Sequence, residues 1–117
     1  MSDLTSLQNS LVIAVNTIST TPITVIGANP RRSRLTFHNP GLIAGGVDVF
    51  VFPTTVLQNT PGGGSIPLTP STAALGGGFR LFATGGDRVI EGLAAKQAWQ
   101  ALSASGAGNP LTIMEES

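Results

Sequence analysis

The sequence predicts an all-β protein, an antiparallel β-sandwich or jelly roll of about eight short strands. Three observations point there. Fifteen Gly and eight Pro in 117 residues interrupt the chain too often for long helices. The apolar residues fall in short runs, alternating or apolar throughout, and each run is closed by a turn signal. The 41% hydrophobic content comes from Leu, Val, Ile and Phe, with no Tyr and one Trp, enough for a mostly aliphatic core in a single domain.

Taken in order, residues 1–10, "MSDLTSLQNS", read as a polar arm ahead of one domain spanning 11–117. "LVIAVN" (11–16) is an unbroken apolar strand, and "TPITVIG" (21–27) is a second, opened by Pro22 and closed by Gly27. "SRLTFHN" (33–39) alternates, with Leu35 and Phe37 on one face and Arg34, Thr36 and His38 on the other. "VDVFVF" (47–52) is apolar on both faces, which predicts burial on both. In so small an antiparallel domain the second covering layer is expected from another subunit, with Val49, Phe50 and Trp99 at the oligomer interface.

Residues 53–78, with "PGGGSIPLTP" and "LGGG", are expected to be a Gly/Pro-rich loop region, holding short strands at Val56–Leu57 and Ile66–Leu68. "FRLFAT" (79–84) alternates again, and a turn at Gly85-Gly86-Asp87 leads into "RVIEG". "LAAKQAWQALSAS" (93–105) has helix-forming residues but no N-cap, and its second half, Ala98–Ser103, is read as strand. "PLTIMEES" closes the chain as a last strand with an acidic end.

The chain is neutral, with six basic and six acidic residues. That argues against general nucleic-acid binding, which carries a basic footprint. Without Cys there are no disulfides or thiolate metal sites. The polar start lacks the basic region of a secretory signal, and "LVIAV" falls far short of the ~20 apolar residues of a membrane helix. A surface with so few charges favours association.

Catalytic readings fail on inventory, so no catalytic, cofactor-binding or metal-binding residue is expected. Asp3, Glu115 and Glu116 belong to chain ends, and Asp87 and Glu91 flank a turn, leaving no paired carboxylates for glycoside chemistry. "GGSIP" (63–67) ends in Pro67 where a nucleophile elbow needs Gly. His38 is the only histidine, and nothing clusters with it to complete a metal site. The glycines at 62–64 and 76–78 are not followed by the Lys and hydroxyl residue of a phosphate loop and read as flexible loops. Trp99 reads as core or interface.

What stands out is "NPRRSRLTFHNPG" (29–41), where Arg31, Arg32 and Arg34 supply half of the chain's cationic side chains. No acid lies between Asp3 and Asp48. One reading is a solvated strand end paired locally with Asp48 or Glu91. The other is a contact for an acidic protein surface, since guanidinium grips carboxylate through two hydrogen bonds.

"ANPRRSRLTFHNPG", "GFRLFATGGDRVIEG", "AWQALSASG" and "PLTIMEES" together resemble small virion proteins of tailed bacteriophages. Those proteins decorate heads or sit on tails and carry an Asn-Pro-x-Arg-x-x-Leu-x-apolar-x-Asn strand entry. This chain differs in its second arginine, in the length of "LAAKQ" and in a more Gly-rich centre. The resemblance implies a non-catalytic capsid decoration (cement) protein, without cofactor, on the outside of the head. Its implied partners are the major capsid protein, held by Arg31, Arg32 and Arg34, and further copies of itself as a dimer or trimer, with no nucleic acid or membrane partner. The alternatives are a tail or head-fibre component and a sugar-binding β-sandwich module.

Overall fold

In the computed structural model, residues 11–41, 46–59 and 62–117 are described, and the polar arm 1–10 lies outside them. The fold is an antiparallel β-sandwich. Its strands are β1 (Leu11–Ile18), β2 (Ile23–Ile26), β3 (Arg34–His38), β4 (Val49–Pro53), β5 (Gln58–Asn59), β6 (Ser65–Ile66), β7 (Phe79–Leu81), β8 (Asp87–Glu91), β9 (Trp99–Ser103) and β10 (Asn109–Glu116). One sheet has the order β1-β10-β3-β8 and the other β2-β9-β4-β7, with β5 and β6 forming a separate ribbon.

The pairing is nested. β1 pairs with β10, β2 with β9, β3 with β8 and β4 with β7, all antiparallel. A long hairpin folded at its middle and wound across two layers has this pattern, which is the jelly roll, and two further pairings, β10 with β3 and β9 with β4, close each sheet. The hairpin's tip, between β4 and β7, holds the Gly/Pro-rich segment.

Alternation along the strands builds the core between the sheets. Leu35 and Phe37 of β3, Leu111 and Ile113 of β10, Val49 and Val51 of β4 and Ala101 of β9 all point inward and are buried. Trp99 lies among them with 1% of its surface exposed. Its ring packs 5.3 Å from Phe37 and 6.0 Å from Phe79, and its Nε1–H donates to the Ala94 carbonyl at 2.9 Å. At the open edge of the stack the Arg88 guanidinium sits 4.6 Å over the Phe79 ring. Since Trp99 is the chain's single Trp, its emission is expected to be blue-shifted and resistant to iodide. A red-shifted, freely quenched emission would contradict its burial.

The sandwich does not need a second subunit to cover β4. Phe50 and Phe52 point away from the central core, but Leu68, Ala73 and Leu102 bury them in a second cluster, with Val56 packed alongside. The chain covers its own strand, so Val49, Phe50 and Trp99 are core residues and not an oligomer interface. The expectation failed because the Gly/Pro-rich segment, expected to be loop with two short strands, also packs onto the sheet; its strands are Gln58–Asn59 and Ser65–Ile66. Thr69 caps a helical turn at Pro70–Thr72 that continues into Ala73–Gly77, and this turn carries Ala73 onto the sheet.

The glycines of "LGGG" serve close approach. A Cβ on Gly77 would stand 2.9 Å from Leu68 Cδ1, and one on Gly78 would stand 3.1 Å from the Phe52 ring. At Gly62 and Gly63, by contrast, a Cβ would meet nothing, and that loop is open.

The segment 93–105 divides where its composition changes. Gly92–Lys96 forms a single 3-10 turn, and strand β9 begins at Trp99. Trp99 and Ala101 enter the core between the sheets, whereas Leu102 faces the cover over β4.

Candidate partner-binding surface

The three arginines of residues 31–34 have three different fates. Arg32 is buried, with 1% of its surface exposed. It stands in the connection from β2 to β3, which crosses between the sheets at one end of the sandwich beside the connection from β8 to β9. Crossing segments carry carbonyls that no strand ladder satisfies. The Arg32 fork takes three of them: Nε donates to Ala95, Nη1 and Nη2 to Gly27 at 3.0 Å, and Nη2 also to Gln97 at 2.6 Å.

The Glu115 carboxylate lies 3.9 Å from Nη1 and is itself held by the Asn29 side-chain amide at 3.0 Å. Burial pulls the Arg32 pKa below its usual value, and Glu115 opposes that shift. Lys96 Nζ donates to the Arg32 carbonyl at 2.8 Å, tying the two connections a second time. Arg32 is thus a staple between two crossovers and cannot reach a partner. Nor is Glu115 at a mobile end, because it belongs to β10.

Arg34 is half exposed, with Glu91 at 3.6 Å and Glu116 at 3.7 Å on neighbouring strands. This is the local pairing expected of a strand end. Asp48 pairs elsewhere, accepting from Arg80 Nε at 2.7 Å and from the Ala83 backbone N–H at 2.8 Å. Arg31 is exposed, and among the described residues its guanidinium has no partner, although its backbone N–H donates to the Asn29 side chain at 3.0 Å. Of the cluster, Arg31 alone is a free cationic contact.

Register extends this surface across the outer face of the β1-β10-β3-β8 sheet. Glu116, Arg34 and Glu91 form one cross-strand row, and Val12, Met114, Thr36 and Val89 form the next. Ala14, Thr112, His38 and Asp87 form a third. Val12, Met114 and Val89 expose 64%, 40% and 50% of their surface, so an apolar row lies open between two polar ones.

His38 Nδ1–H donates to the Asp87 carboxylate, but no hydrogen bond joins the imidazole to its other neighbour, Thr112. Among the described residues, no three His, Cys, Asp or Glu side chains gather to hold a metal ion. Nor can Trp99 act as a sugar platform, because it is buried.

The strand-entry pattern that prompted the phage resemblance turns out to be a folding motif. Arg32, Leu35, Phe37 and Asn39 are all buried. Asn39 donates to the carbonyls of Val47 at 2.8 Å and Leu81 at 3.1 Å. Its backbone N–H donates to Gly86 at 2.9 Å, so it joins the turns before β4 and β8. An Asn-Pro at a strand end was the only signal for it.

An apolar cleft of about 160 Å³ remains beside the cover, between Phe52, Val56, Gly77 and Phe79, with no charged side chain on its wall. No helix among the described residues is long and apolar enough to cross a membrane. No protein-family model matches the chain, and no curated protein matches its sequence. The fold and surface therefore define a class, a small jelly-roll protein with one sheet face covered by its own chain and the other open.

Proposed function

We propose that the protein is a non-catalytic virion component of a tailed phage, a decoration (cement) protein that binds the outside of the assembled capsid and bridges neighbouring capsomers. The observation that carries this reading is the unequal treatment of the two outer sheet faces. The chain covers Phe50 and Phe52 with its own residues, yet leaves Val12, Met114 and Val89 open between polar rows. A face so patterned suits a partner that is itself a flat protein surface, here the major capsid protein. The low charge density and the motif resemblance support the same reading. Fold alone would not, since jelly rolls host many functions.

In this role Arg31 meets an acidic patch at the rim, while the Val12–Met114–Val89 row packs at the centre. Binding to the assembled shell stabilises it by mass action. Both Val89→Lys and Arg31→Ala change exposed side chains, so their melting temperatures are expected to stay within about 2 °C of wild type. Val89→Lys should bind bare heads at least about tenfold more weakly in co-sedimentation, and Arg31→Ala more weakly chiefly at low salt. Normal binding by both variants would remove this face from the reading. Abundance in virions separates the roles: a cement protein is as plentiful as capsid subunits, a fibre only as plentiful as vertices.

A further inference from the structure

We infer that the free edge of β1 is a self-association site, through which two copies join their β1-β10-β3-β8 sheets by antiparallel β1–β1 pairing. The inference gives a contact for the self-association expected from the sequence and does not depend on capsid binding.

The sandwich has four sheet edges, β1 and β8 in one sheet and β2 and β7 in the other. A strand edge exposes backbone N–H and C=O groups, and proteins blunt such edges with charge, Pro, short length or bulges. β8 carries Asp87, Arg88 and Glu91 in five residues. β7 is three residues long and includes Arg80. β2 is four residues long, follows Pro22 and has a register break between Thr24 and Ile26. Each is protected. β1 has eight residues and no charge, Pro or Gly. Its register with β10 runs unbroken from Leu11 to Val15, and the irregularity comes only between Val15 and Ile18. No backbone hydrogen bond reaches its free edge from any described residue. Among the described residues, three edges are guarded and the longest one is bare.

The fitting occupant is a second copy, because the edge is self-complementary. A two-fold axis through Ile13 sets Leu11 against Val15 of the second copy on the core side. On the outer side it sets Val12 against Ala14 of the second copy. Within residues 11–15 every facing pair is apolar, and no charge is buried. Leu11 and Val12, 60% and 64% exposed in the single chain, would be covered. The contact is isologous and closes at two copies. It also makes the outer face continuous across both sheets, so that two staggered apolar rows, one from each copy, are offered to a flat partner.

Light scattering and sedimentation on the full chain test this without any capsid. Wild type at micromolar concentration should have twice the 11.9 kDa chain mass. The paired changes Val12→Lys and Ala14→Lys alter exposed positions and set like charges opposite each other across the two-fold, which destabilises strand pairs. They should weaken the dimer at least about tenfold while leaving a folded monomer. Val89→Lys, at the far edge of the same face, should leave the dimer intact. Amide exchange at residues 11–15 should slow as protein concentration rises.

A wild-type monomer would overturn the inference, and amides 11–15 protected at every concentration would then point to residues 1–10 as the occupant. So would a dimer that survives the double lysine change, or one lost on Val89→Lys, which would place the contact on the sheet face. Loss of shell binding with an intact dimer would instead count against the capsid reading alone.

Discussion

Arg32→Ala is expected to destabilise the protein by about 3–5 kcal/mol, the range for removing one partner from a buried charged network. The substitution strands the carbonyls of Gly27, Ala95 and Gln97 without a donor. It also leaves Glu115 without its nearest cation and hollows the space where two connections cross. For a domain of this size the Tm should fall by roughly 10–20 °C. Arg32→Lys should recover only part of the loss, since a single ammonium cannot fork to three carbonyls. Arg31→Ala, one residue earlier but exposed, should change Tm by no more than about 2 °C. Thermal melts of the three variants side by side decide the matter. If Arg32→Ala melted with Arg31→Ala, the guanidinium would not be the staple described here.

Phe50→Asp is expected to abolish folding. Phe50 is buried under the chain's own cover, between β4 and the residues carrying Leu68 and Ala73. A carboxylate there enters an apolar cluster, and its cross-strand neighbour Arg80 is already held by Asp48, so the cost of burying it is of the order of the whole ~5–15 kcal/mol stability of a small domain. Phe50→Ala should cost about 3–5 kcal/mol through lost burial and the cavity left behind. It should also loosen the cover, so that limited proteolysis near the open Gly62-Gly63 loop speeds up before global unfolding. An interface residue would behave otherwise, its aspartate variant giving a folded, dissociated monomer. Circular dichroism and sedimentation of Phe50→Asp separate the two outcomes, and a folded monomer would return β4 to the surface.

The two results would divide the cluster at 31–34 and the strand at 49–53 along lines that composition could not draw. The strand alternation of "SRLTFHN" was legible because its period of two survives in the fold, with Leu35 and Phe37 buried and Arg34 and His38 outward. Arg32 lies just before that strand, where parity no longer sets direction. Its role depends on two carbonyls more than sixty residues away, those of Ala95 and Gln97, and on Glu115, brought close by the pairing of Leu35 with Glu115 across β3 and β10. Nothing local to the sequence carries that register.

Sequence alone determined that this is an antiparallel β-sandwich with a largely aliphatic core, because turn residues and apolar periodicity are local properties. It also determined that β4 is buried on both faces. Tertiary structure decided who buries it. Residues 68–73 fold back on Phe50 and Phe52, and Gly77 and Gly78 permit an approach that a Cβ at either position would crowd. It decided, too, that one arginine of three is a staple and one a cross-strand pair, and that among the described residues the third has no partner and β1 is the unguarded edge. Burial, long-range register and sheet order belong to the assembled chain, because each is set by residues distant in sequence meeting in space.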